Sequence, residues 1–589
     1  MIPHPPSFFI RVIAVAALSF TGWIAALCQQ ATSTPATDLP PVRIEHNVMI
    51  PMRDGVRLAA NVFRPETKDR LPVILTRTPY GKNGKAFFDA GRYYAQHGYV
   101  YIVQDVRGRG DSGGEFRPWI EGQDGFDSIE WAARQAWSSG RVGTIGGSYA
   151  AFDQWQAAEE QPPHLKAMIV SSTPPDLFDS TYINRVFDMD AIEWAIVTNG
   201  HAMQEFPTEE QRKAYDHLPV FTMDEAFGWH LDRSWRDLIT HQHDPEYWRA
   251  RSYQSRLARV QAPVLHLDGW YDLGDASTSL ENYNAMVAHA GTAEARANQR
   301  AIIGPWQHDV YSQRIAGIDF GPEAAFDRRG VSVQWFDCYL KESNCDQVRA
   351  WPPLRIFHMG ENRWSSEQRW PLLQIKPTPY YFHSDGHANT REGDGTLSLS
   401  APETEKADFF TYDPQNPVEI VIAPENIAGP TAEDQRNTEM RPDMLVFTSA
   451  PLQTPLEITG RIRVRLWAAS SAPDTDWVAR LVDVHPDGYA QRLTDGAVRA
   501  RYRQSFEHPS LLQPEKIYEY TIDLWETSNV FLPGHRIRVE ITSSIFPVFS
   551  RNLNTGADNE TTTEMQVAHQ AIYHDAAHPS QIVLPVVPR

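Results

Sequence analysis

A serine, an aspartate and a histidine stand at three places in this chain where hydrolytic chemistry could be built. Ser148 lies in "RVGTIGGSYAAFDQWQAA", which reads as a short apolar strand, a turn and a helix. Asp272 is the last residue of "APVLHLDGWYD", and His308 is the histidine of "QRAIIGPWQHD"; each comes after an apolar run. A serine hydroxyl attacks a carbonyl only when a base takes its proton and a third group orients that base. The three residues are therefore a candidate catalytic triad.

The turn around the serine departs from the nucleophile-elbow pattern G-x-S-x-G at its last position, where Ala150 replaces glycine. The acid is the triad member least determined by spacing, because Asp268 and Asp275 flank Asp272 and Asp309 adjoins the histidine. Each residue alone would be an ordinary loop or core residue. The prediction depends on their occurring together.

Short apolar segments alternate with helical ones from residue 44 to about residue 350. "LPVILTRTPY", "GYVYIVQDVRGRG" and "HLKAMIVSS" have strand character, whereas "GFDSIEWAARQA" has helical character. This alternation predicts a parallel sheet with helices on both faces, with its chemistry at the carboxyl ends of the strands. Ser148, Asp272 and His308 each follow such a strand, in the chain order expected of an α/β-hydrolase.

The chain has 589 residues, which is too many for one core, because domains usually have about 50 to 250 residues. Strand signals stop where aromatic-rich helical segments predict a cap, and the later β-branched runs between turns predict an all-β sandwich or jelly roll. The predicted organisation is a signal peptide at 1–28, a linker at 29–43, an α/β-hydrolase core at 44–173 and 257–350, a helical cap at 174–256, and a C-terminal jelly-roll (galactose-binding-like) domain at 351–589.

The N-terminal segment has one arginine before an apolar run from Val12 to Leu27, followed by a polar stretch rich in Thr, Ala and Pro. This is typical of a secretory signal peptide, so we expect export to the periplasm or the exterior. A membrane span needs about 20 apolar residues, which makes an uncleaved anchor the weaker alternative. Lipidation of Cys28 is a further alternative, but Leu27 precedes it where a small residue is expected.

The composition excludes some functions. A formal charge of −20, from 74 acidic and 54 basic residues, disfavours nucleic-acid binding, which needs a basic surface. Hydrophobic residues make up 42% and charged residues 22%, as in a soluble globular protein. After export, Cys338 and Cys345 remain, and a local disulfide is expected in an oxidising compartment, with two separate thiols as the alternative.

Several motifs together carry a family resemblance. "LTRTPYGK", "QDVRGRGDSGGEF", "DGWYD", "IGPWQHD", "WFDCYLK", "IFHMGENRW" and "YFHSDGHANT" resemble the cocaine esterase, α-amino acid ester hydrolase and X-Pro dipeptidyl peptidase group of α/β-hydrolases. The resemblance extends over nearly the whole chain that follows the N-terminal segment. It implies a hydrolase core, a helical cap and a C-terminal jelly roll, with Ser148 as nucleophile, His308 as base and Asp272 as its partner.

The resemblance also implies the oxyanion hole. One donor is the hydroxyl of Tyr80 in "TPYG", and the other is the backbone N–H of Tyr149. A phenol with a pKa of about 10 stays a donor at neutral pH and can stabilise a tetrahedral oxyanion. Ala151 replaces a glycine that the family often has after the nucleophile, and we expect a slight strain or helix shift from the added methyl group.

In the amino acid ester hydrolases of this group, carboxylates just after the catalytic aspartate, with another from the cap, hold the α-ammonium of the substrate. Asp275 matches one of these acids, whereas Gly274 stands where a second is expected. A single carboxylate predicts a preference of about tenfold for α-amino esters, and the cap acids that could add to it are Asp188 and Asp190. Two tryptophans beside the acid and the base are predicted as further substrate contacts, Trp270 and Trp306.

Two other patterns give weaker evidence for a functional site. The glycine-rich "DVRGRGDSGGEF" lacks the G-K-[ST] ending of a phosphate-binding loop, so Asp105 and Arg107 are predicted to be structural. His241, His243 and Asp244 have metal-like spacing, but no further ligand pattern lies nearby, and we predict no metal there.

The sequence therefore predicts an exported serine hydrolase that cleaves small carboxylic esters or amides, including those of α-amino acids, through an acyl-enzyme. It predicts no cofactor and no nucleic-acid partner, and a homo-oligomer is compatible with it. One alternative is an X-Pro dipeptidyl peptidase or β-lactam acylase that uses the same triad. The other is a catalytically inactive carbohydrate-binding protein, which the presence of all three triad residues disfavours.

Overall fold

The computed structural model describes residues 40–205, 211–231, 233–272, 274–308, 311–421 and 430–589. The residues from Pro41 to Arg589 form one compact unit. The predicted signal peptide and most of the predicted linker lie outside the described residues. Within the described ranges, no helix has both the length and the apolar character needed to cross a bilayer.

A ten-stranded mixed sheet organises the first part of the chain. The strands up to residue 367 are β1 (Val42–Pro51), β2 (Arg57–Pro65), β3 (Leu71–Thr78), β4 (Val100–Asp105), β5 (Ser138–Gly147), β6 (Leu165–Ser171), β7 (Tyr182–Ile183), β8 (Val186–Phe187), β9 (Val264–Gly269), β10 (Gln299–Gly304), β11 (Arg314–Ile315), β12 (Ile318–Asp319), β13 (Leu354–His358) and β14 (Arg363–Glu367). The sheet order is β1-β2-β4-β3-β5-β6-β9-β10-β13-β14. Its central pairs, from β4-β3 to β10-β13, are parallel.

Helices pack on both faces of this sheet because successive strand residues point to opposite sides. The helices are α1 (Lys85–Gln96), α2 (Gly122–Ala133), α3 (Tyr149–Glu159), α4 (Leu177–Thr181), α5 (Asp190–Val197), α6 (Met223–Ala226), α7 (Arg233–Thr240), α8 (Pro245–Arg249), α9 (Asp275–His289), α10 (Ala293–Ala297), α11 (Arg328–Lys341) and α12 (Cys345–Arg349). In β3, Ile74 joins the core formed with α1 and α11, whereas Val73 and Leu75 join the core formed with α2 and α3. The predicted α/β-hydrolase core is confirmed.

The chain between β6 and β9, predicted as a helical cap, consists of short helices α4 to α8 and the small hairpin β7–β8. It also has 3₁₀ helices, Gln211–Asp216, Val220–Thr222 and Gln254–Arg259. Tyr182 and Trp235 of this segment share a buried apolar cluster with Phe152 and Trp155 of α3. This segment is thereby packed on the helix that follows Ser148.

The C-terminal part is a second, eleven-stranded sheet. Its strands are β15 (Lys376–His383), β16 (Thr396–Ser398), β17 (Asp408–Tyr412), β18 (Leu445–Ser449), β19 (Leu456–Ser470), β20 (Asp476–Val484), β21 (Ala490–Arg499), β22 (Tyr518–Phe531), β23 (Arg536–Thr542), β24 (Ala568–Tyr573) and β25 (Gln581–Val587). The order is β17-β24-β19-β25-β15-β16-β18-β23-β20-β21, and β22 pairs with β19. The β-rich character is confirmed, while the finer jelly-roll topology stays a prediction.

The first sheet extends past residue 351, where the C-terminal domain was predicted to begin. Strands β13 and β14 lie after that boundary but extend the hydrolase sheet, β13 pairing in parallel with β10. The run "LRIFH" is apolar enough to be buried in either sheet, so its composition could not decide between them. The second sheet begins only with β15.

Candidate active site

Ser148 lies in a sharp turn between β5 and α3. Its backbone has φ 59° and ψ −128°, a strained conformation for a residue other than glycine. The N–H of Ser148 donates to the carbonyl oxygens of Ser171 and Ser172, at 3.1 and 3.2 Å. This strand–turn–helix geometry is that of a nucleophile elbow, in which a strained backbone presents the hydroxyl.

Gly146 explains how the elbow accommodates alanine in place of the last motif glycine. A Cβ on Gly146 would lie 2.6 Å from the Cβ of Ala150 and 2.7 Å from its carbonyl oxygen. The first glycine of the motif therefore supplies the space that Ala150 uses. Ala151 is fully buried, and its N–H donates to the Ser148 carbonyl at 2.9 Å, so α3 begins without interruption.

Asp272 and His308 form a hydrogen-bonded pair at the ends of β9 and β10. The Asp272 Oδ1 atom lies 2.9 Å from His308 Nδ1, and Asp275 Oδ2 lies 3.5 Å from the same nitrogen. The neighbouring strands are parallel, so their carboxyl ends bring the two residues together. Of the candidate acids, Asp272 makes the shorter contact with the imidazole, while Asp309 lies outside the described residues.

The charges around His308 favour its protonated form. Burial lowers the pKa of the imidazole, but the carboxylates of Asp272 and Asp275 outweigh burial and hold the pKa well above its ordinary value. A base in this position is stabilised as an imidazolium once it has taken the serine proton. The pair is therefore suited to general acid–base chemistry.

Asp268 has a different position, beneath the pair. Its Oδ2 atom accepts from the Ser279 hydroxyl at 2.6 Å, and its Oδ1 atom accepts from the Gly269 N–H at 2.8 Å. Burial, and then the charges of Asp272 and Asp275, raise the pKa of this carboxyl well above its usual range. These hydrogen bonds hold the Asp268 side chain at the end of β9.

Two groups suited to an oxyanion hole adjoin the serine. Tyr80 lines the same cavity as Ser148, and its hydroxyl accepts from Trp194 Nε1 at 3.1 Å. Tyr149 is the first residue of α3, where backbone N–H groups have no partner within a helix. The Tyr149 side chain points elsewhere, because its hydroxyl donates to Glu121 Oε1 at 2.8 Å.

Ser148, Asp272 and His308 line one cavity of about 820 Å³. The core, the cap and the C-terminal sheet all contribute to its lining, through Tyr80, Trp194 and Trp525 respectively. Volumes of about 300 to 1,000 Å³ are usual for small-molecule sites. The cavity therefore matches a small substrate held over the serine.

Several carboxylates line this cavity, together with three arginines, Arg212, Arg328 and Arg329. We define the acidic wall as four carboxylates that line the cavity: Asp188, Asp190 and Glu193 of the cap and Asp275 of the core. The Asp190 N–H donates to Asp188 Oδ1 at 3.1 Å. Glu193 Oε1 accepts from the Tyr215 hydroxyl at 2.5 Å and lies 3.6 Å from Arg212 Nη2.

The carboxylates of the acidic wall raise one another's pKa. Desolvation, followed by the charge of Glu193, raises the pKa of Asp190 to about 6. Desolvation and the charge of Asp190 raise the pKa of Asp188 well above its usual range. Like charges close together disfavour one another's ionisation, and a cation bound among them would relieve that repulsion.

The matches to known families agree with this geometry. Residues 54–309 match the X-Pro dipeptidyl-peptidase (S15 family) model, and residues 347–583 match the X-Pro dipeptidyl-peptidase C-terminal non-catalytic domain. The cocaine esterase of Rhodococcus sp. (strain MB1 Bresler) is 35% identical over 587 residues, which cover 93% of this chain and 99% of the esterase. The chain belongs to the X-Pro dipeptidyl-peptidase (S15) family.

Other known proteins have similar sequences or structures. A putative serine esterase of Mycobacterium bovis is 25% identical over 91% of this chain and 94% of its own length. A solved α-amino acid ester hydrolase has a TM-score of 0.82 at 27% identity, covering 96% of this chain and 100% of that one. An aminopeptidase from a marine sediment Thaumarchaeota archaeon has a TM-score of 0.83 at 26% identity, over 94% of this chain and 98% of that one.

These matches confirm the resemblance inferred from the motifs. The chain is a serine hydrolase of the ester or dipeptidyl type. Three of its predicted site residues, Ser148, Asp272 and His308, lie together in the cavity. Family membership alone does not identify the substrate, because substrate specificity depends on the residues that line the cavity.

The two tryptophans predicted as substrate contacts lie elsewhere. Neither Trp270 nor Trp306 is among the residues that line the 820 Å³ cavity. Trp270 Nε1 donates to the Phe357 carbonyl at 2.8 Å. Trp306 is fully buried, and its ring occupies the space where a Cβ on Gly304 would lie. Both indoles are buried in the core, and the structure does not place them as substrate contacts.

Three further predictions concern structural residues. Cys338 of α11 and Cys345 of α12 are joined in a disulfide. Asp105 accepts from the buried Lys82 ammonium at 3.0 Å, and Arg107 pairs with Asp124 at 2.6 Å, so both stabilise the loop after β4. These contacts are those of structural residues.

The metal-like spacing in the cap has a simpler explanation. His241 Nδ1 lies 3.0 Å from Asp244 Oδ2, whereas His243 packs against the Phe506 ring with 5.5 Å between centroids. In the part of the chain that the structure describes, these three residues do not form a group with converging ligand atoms. His241 is therefore a hydrogen-bonding residue and His243 a packing residue.

Sequence reasoning missed Trp194, Glu193 and Trp525 as cavity residues. Trp194 and Glu193 lie on α5 of the cap, and Trp525 lies on β22 of the C-terminal sheet. The cluster of acids and aromatics in "DMDAIEW" is the one signal that could have indicated the first two. No local pattern around Trp525 distinguishes it from a core tryptophan.

Proposed function

We propose that the protein hydrolyses esters of α-amino acids through an acyl-enzyme formed on Ser148. The observation that carries the proposal is the acidic wall, because it lines the same cavity as the nucleophile and the base. Membership in the family indicates the type of reaction, and the acidic wall indicates the class of substrate. A free α-ammonium is the group that such a wall would bind.

The chemistry uses the groups already described. Ser148 Oγ attacks the acyl carbon while His308 takes its proton, and the negative oxygen accepts hydrogen bonds from the Tyr80 hydroxyl and the Tyr149 N–H. His308 then protonates the departing alcohol as the tetrahedral intermediate collapses to the acyl-enzyme. Water, deprotonated by the same imidazole, attacks the acyl-enzyme, and the imidazolium returns this proton to Ser148 Oγ as the amino acid leaves.

The wall makes the preference for an ammonium stronger than Asp275 alone would. One carboxylate and one ammonium 4 Å apart attract by about 1 to 4 kcal/mol, depending on the effective dielectric constant. With Asp188, Asp190 and Glu193 added, we expect a preference of about a hundredfold for an α-amino ester over its des-amino analogue.

The test is a matched pair of substrates that differ only in the amino group. L-Phenylalanine methyl ester and 3-phenylpropionic acid methyl ester are compared by kcat/KM in the wild type and in Asp190→Asn. We expect the ratio of about a hundredfold to fall about tenfold in the variant. The preference should also weaken as the pH falls and the carboxylates of the acidic wall become protonated.

A suitable control is Glu246→Gln, which neutralises an exposed carboxylate of the cap that is not among the cavity-lining residues. This variant should keep the wild-type ratio. A wild-type ratio near one, or equal losses in the two variants, would rule out the proposal.

A peptidase is the second candidate, because the wall would also bind the free N-terminal amine of a peptide. The similarity to a solved aminopeptidase favours testing it. Alanyl-prolyl anilide and alanine anilide, assayed beside the amino acid esters, distinguish the two activities. Turnover of alanyl-prolyl anilide above that of the esters would make the peptidase the better assignment.

We also propose that the protein is exported, on the strength of the apolar segment from Val12 to Leu27. Expression of the full chain in a Gram-negative host, followed by fractionation and N-terminal sequencing, tests this. Recovery of the protein from the cytoplasm with its first 28 residues still attached would contradict export.

A further inference from the structure

A β-bulge in the C-terminal sheet places a tryptophan in the active-site cavity. The pairing with β19 advances three residues on β22, from Asp523 to Glu526, while it advances two on β19, from Arg463 to Arg461. Trp525 lies in this bulge with φ 62°, in the left-handed region that bulky residues rarely adopt. A bulge re-aims a side chain, and here the re-aimed side chain lines the cavity that contains Ser148.

Several contacts hold the bulge in place. The Trp525 N–H donates to Asp523 Oδ1 at 3.0 Å. The Asp523 carbonyl accepts from Asn184 Nδ2 of the cap at 2.9 Å. That carbonyl also lies 1.9 Å from where a Cβ on Gly496 would be, so the adjacent strand needs glycine there. The strained backbone is thus held both by the C-terminal sheet and by the cap.

The indole of Trp525 lies next to the acidic wall. Its ring packs on Gly274, where an added Cβ would be 3.2 Å from the indole. Gly274 immediately precedes Asp275, the wall residue that contacts His308. The Arg461 guanidinium lies 5.5 Å from the ring centre, and the indole remains only half-buried.

We propose that Trp525 is a specificity-determining residue, whose indole forms the apolar wall that contacts the side chain of the bound acyl group. The inference rests on the proposed function, since a substrate ammonium held by the acidic wall would direct the neighbouring side chain toward the indole. Strained backbone that is maintained by surrounding contacts is concentrated at functional sites. The C-terminal domain, matched to a non-catalytic family model, here contributes a substrate contact.

The experiment compares side-chain selectivity in Trp525→Ala, Trp525→Phe and the wild type. The measured quantity is the ratio of kcat/KM for L-phenylalanine methyl ester to that for glycine methyl ester. An aromatic contact of this kind corresponds to a selectivity change of about tenfold. We expect the ratio to fall about tenfold in Trp525→Ala, mainly through KM, and by much less in Trp525→Phe.

Trp467→Ala is the matched control, because Trp467 is another half-buried tryptophan of the same sheet but is not among the cavity-lining residues. It should keep the wild-type ratio. Labelling of Ser148 by a fluorophosphonate, together with the thermal unfolding midpoint, shows that each variant is folded with an intact elbow. An unchanged ratio in folded Trp525→Ala, or an equal fall in Trp467→Ala, would overturn the inference.

A second comparison separates this inference from the proposed function. The same ratio is measured with 3-phenylpropionic and acetic acid methyl esters, which have no amino group. If the wild type shows no preference for amino esters but Trp525→Ala still loses phenyl selectivity, the proposed function fails and the acyl contact stands. If the amino preference is present and phenyl selectivity is unchanged, the reverse holds.

Discussion

Asp275 Oδ2 lies 3.5 Å from His308 Nδ1, so a carboxylate of the acidic wall also touches the catalytic base. The Asp272 carboxylate makes the shorter contact, at 2.9 Å. If the acidic wall binds a substrate ammonium, as we propose, substrate binding and the basicity of His308 are coupled electrostatically. An ammonium bound beside Asp275 offsets part of the negative charge that raises the pKa of His308, and a neighbouring positive charge lowers a histidine pKa.

The coupling predicts different pH profiles for two substrates. The base must be neutral to act, so kcat falls as the pH drops through the pKa of His308 in the bound complex. With an α-amino ester this acid limb should lie at lower pH than with the des-amino ester. Stopped-flow measurements of acylation across pH 5 to 9 test this, and coincident limbs for the two substrates would contradict it.

Ser148→Ala should abolish turnover while the fold is retained. The hydroxyl forms the acyl-enzyme, and loss of one triad member typically lowers kcat by about a millionfold. The variant should also lose fluorophosphonate labelling, with circular dichroism and the unfolding midpoint close to those of the wild type. Activity above a small fraction, in a preparation free of wild-type enzyme, would remove Ser148 from the mechanism.

Tyr80→Phe should lower kcat by about a hundredfold to a thousandfold with little change in KM, the usual loss for one oxyanion donor. Trp194→Phe is the comparison, since it removes the N–H that donates to the Tyr80 hydroxyl but keeps an aromatic ring. We expect that variant to lose less than about tenfold. Equal losses in both would mean that the tyrosine acts only as a packing partner of the cap.

The disulfide predicts one cross-linked peptide. Cys338 and Cys345 are separated by seven positions, and closing so short a loop stabilises a fold by about 2 kcal/mol in the chain-entropy description. Mass spectrometry of a non-reduced digest should yield the joined peptide, and dithiothreitol should lower the unfolding midpoint by a few degrees. Two separately alkylated cysteine peptides would refute the pairing.

The core of the site could be predicted because its information is local. Ser148, Asp272 and His308 each follow an apolar strand, and parallel strands bring their carboxyl ends to one edge of the sheet. Strand periodicity and residue order were therefore sufficient to group these residues. The α/β core and the β-rich C-terminal part followed from the same patterns.

The cavity walls could not be predicted in the same way. Glu193, Trp194 and Trp525 reach the cavity through packing of the cap and the second sheet, which no short spacing encodes. Trp270 and Trp306 stand beside the acid and the base in the sequence, yet their indoles turn into the core. Adjacency along the chain places the backbone near a site but does not determine which way a large side chain points.

The pairing of β13 with β10 bears on how the molecule could be divided. A fragment that ended at residue 350, the predicted limit of the hydrolase core, would lose β13 and β14 and leave β10 as the open edge of the sheet. Exposed apolar edge strands pair with other chains. The strand that precedes His308 would then be the aggregation-prone edge. Such a fragment would aggregate through β10, the strand that positions His308. Limited proteolysis near residue 350 should therefore lower solubility and activity together.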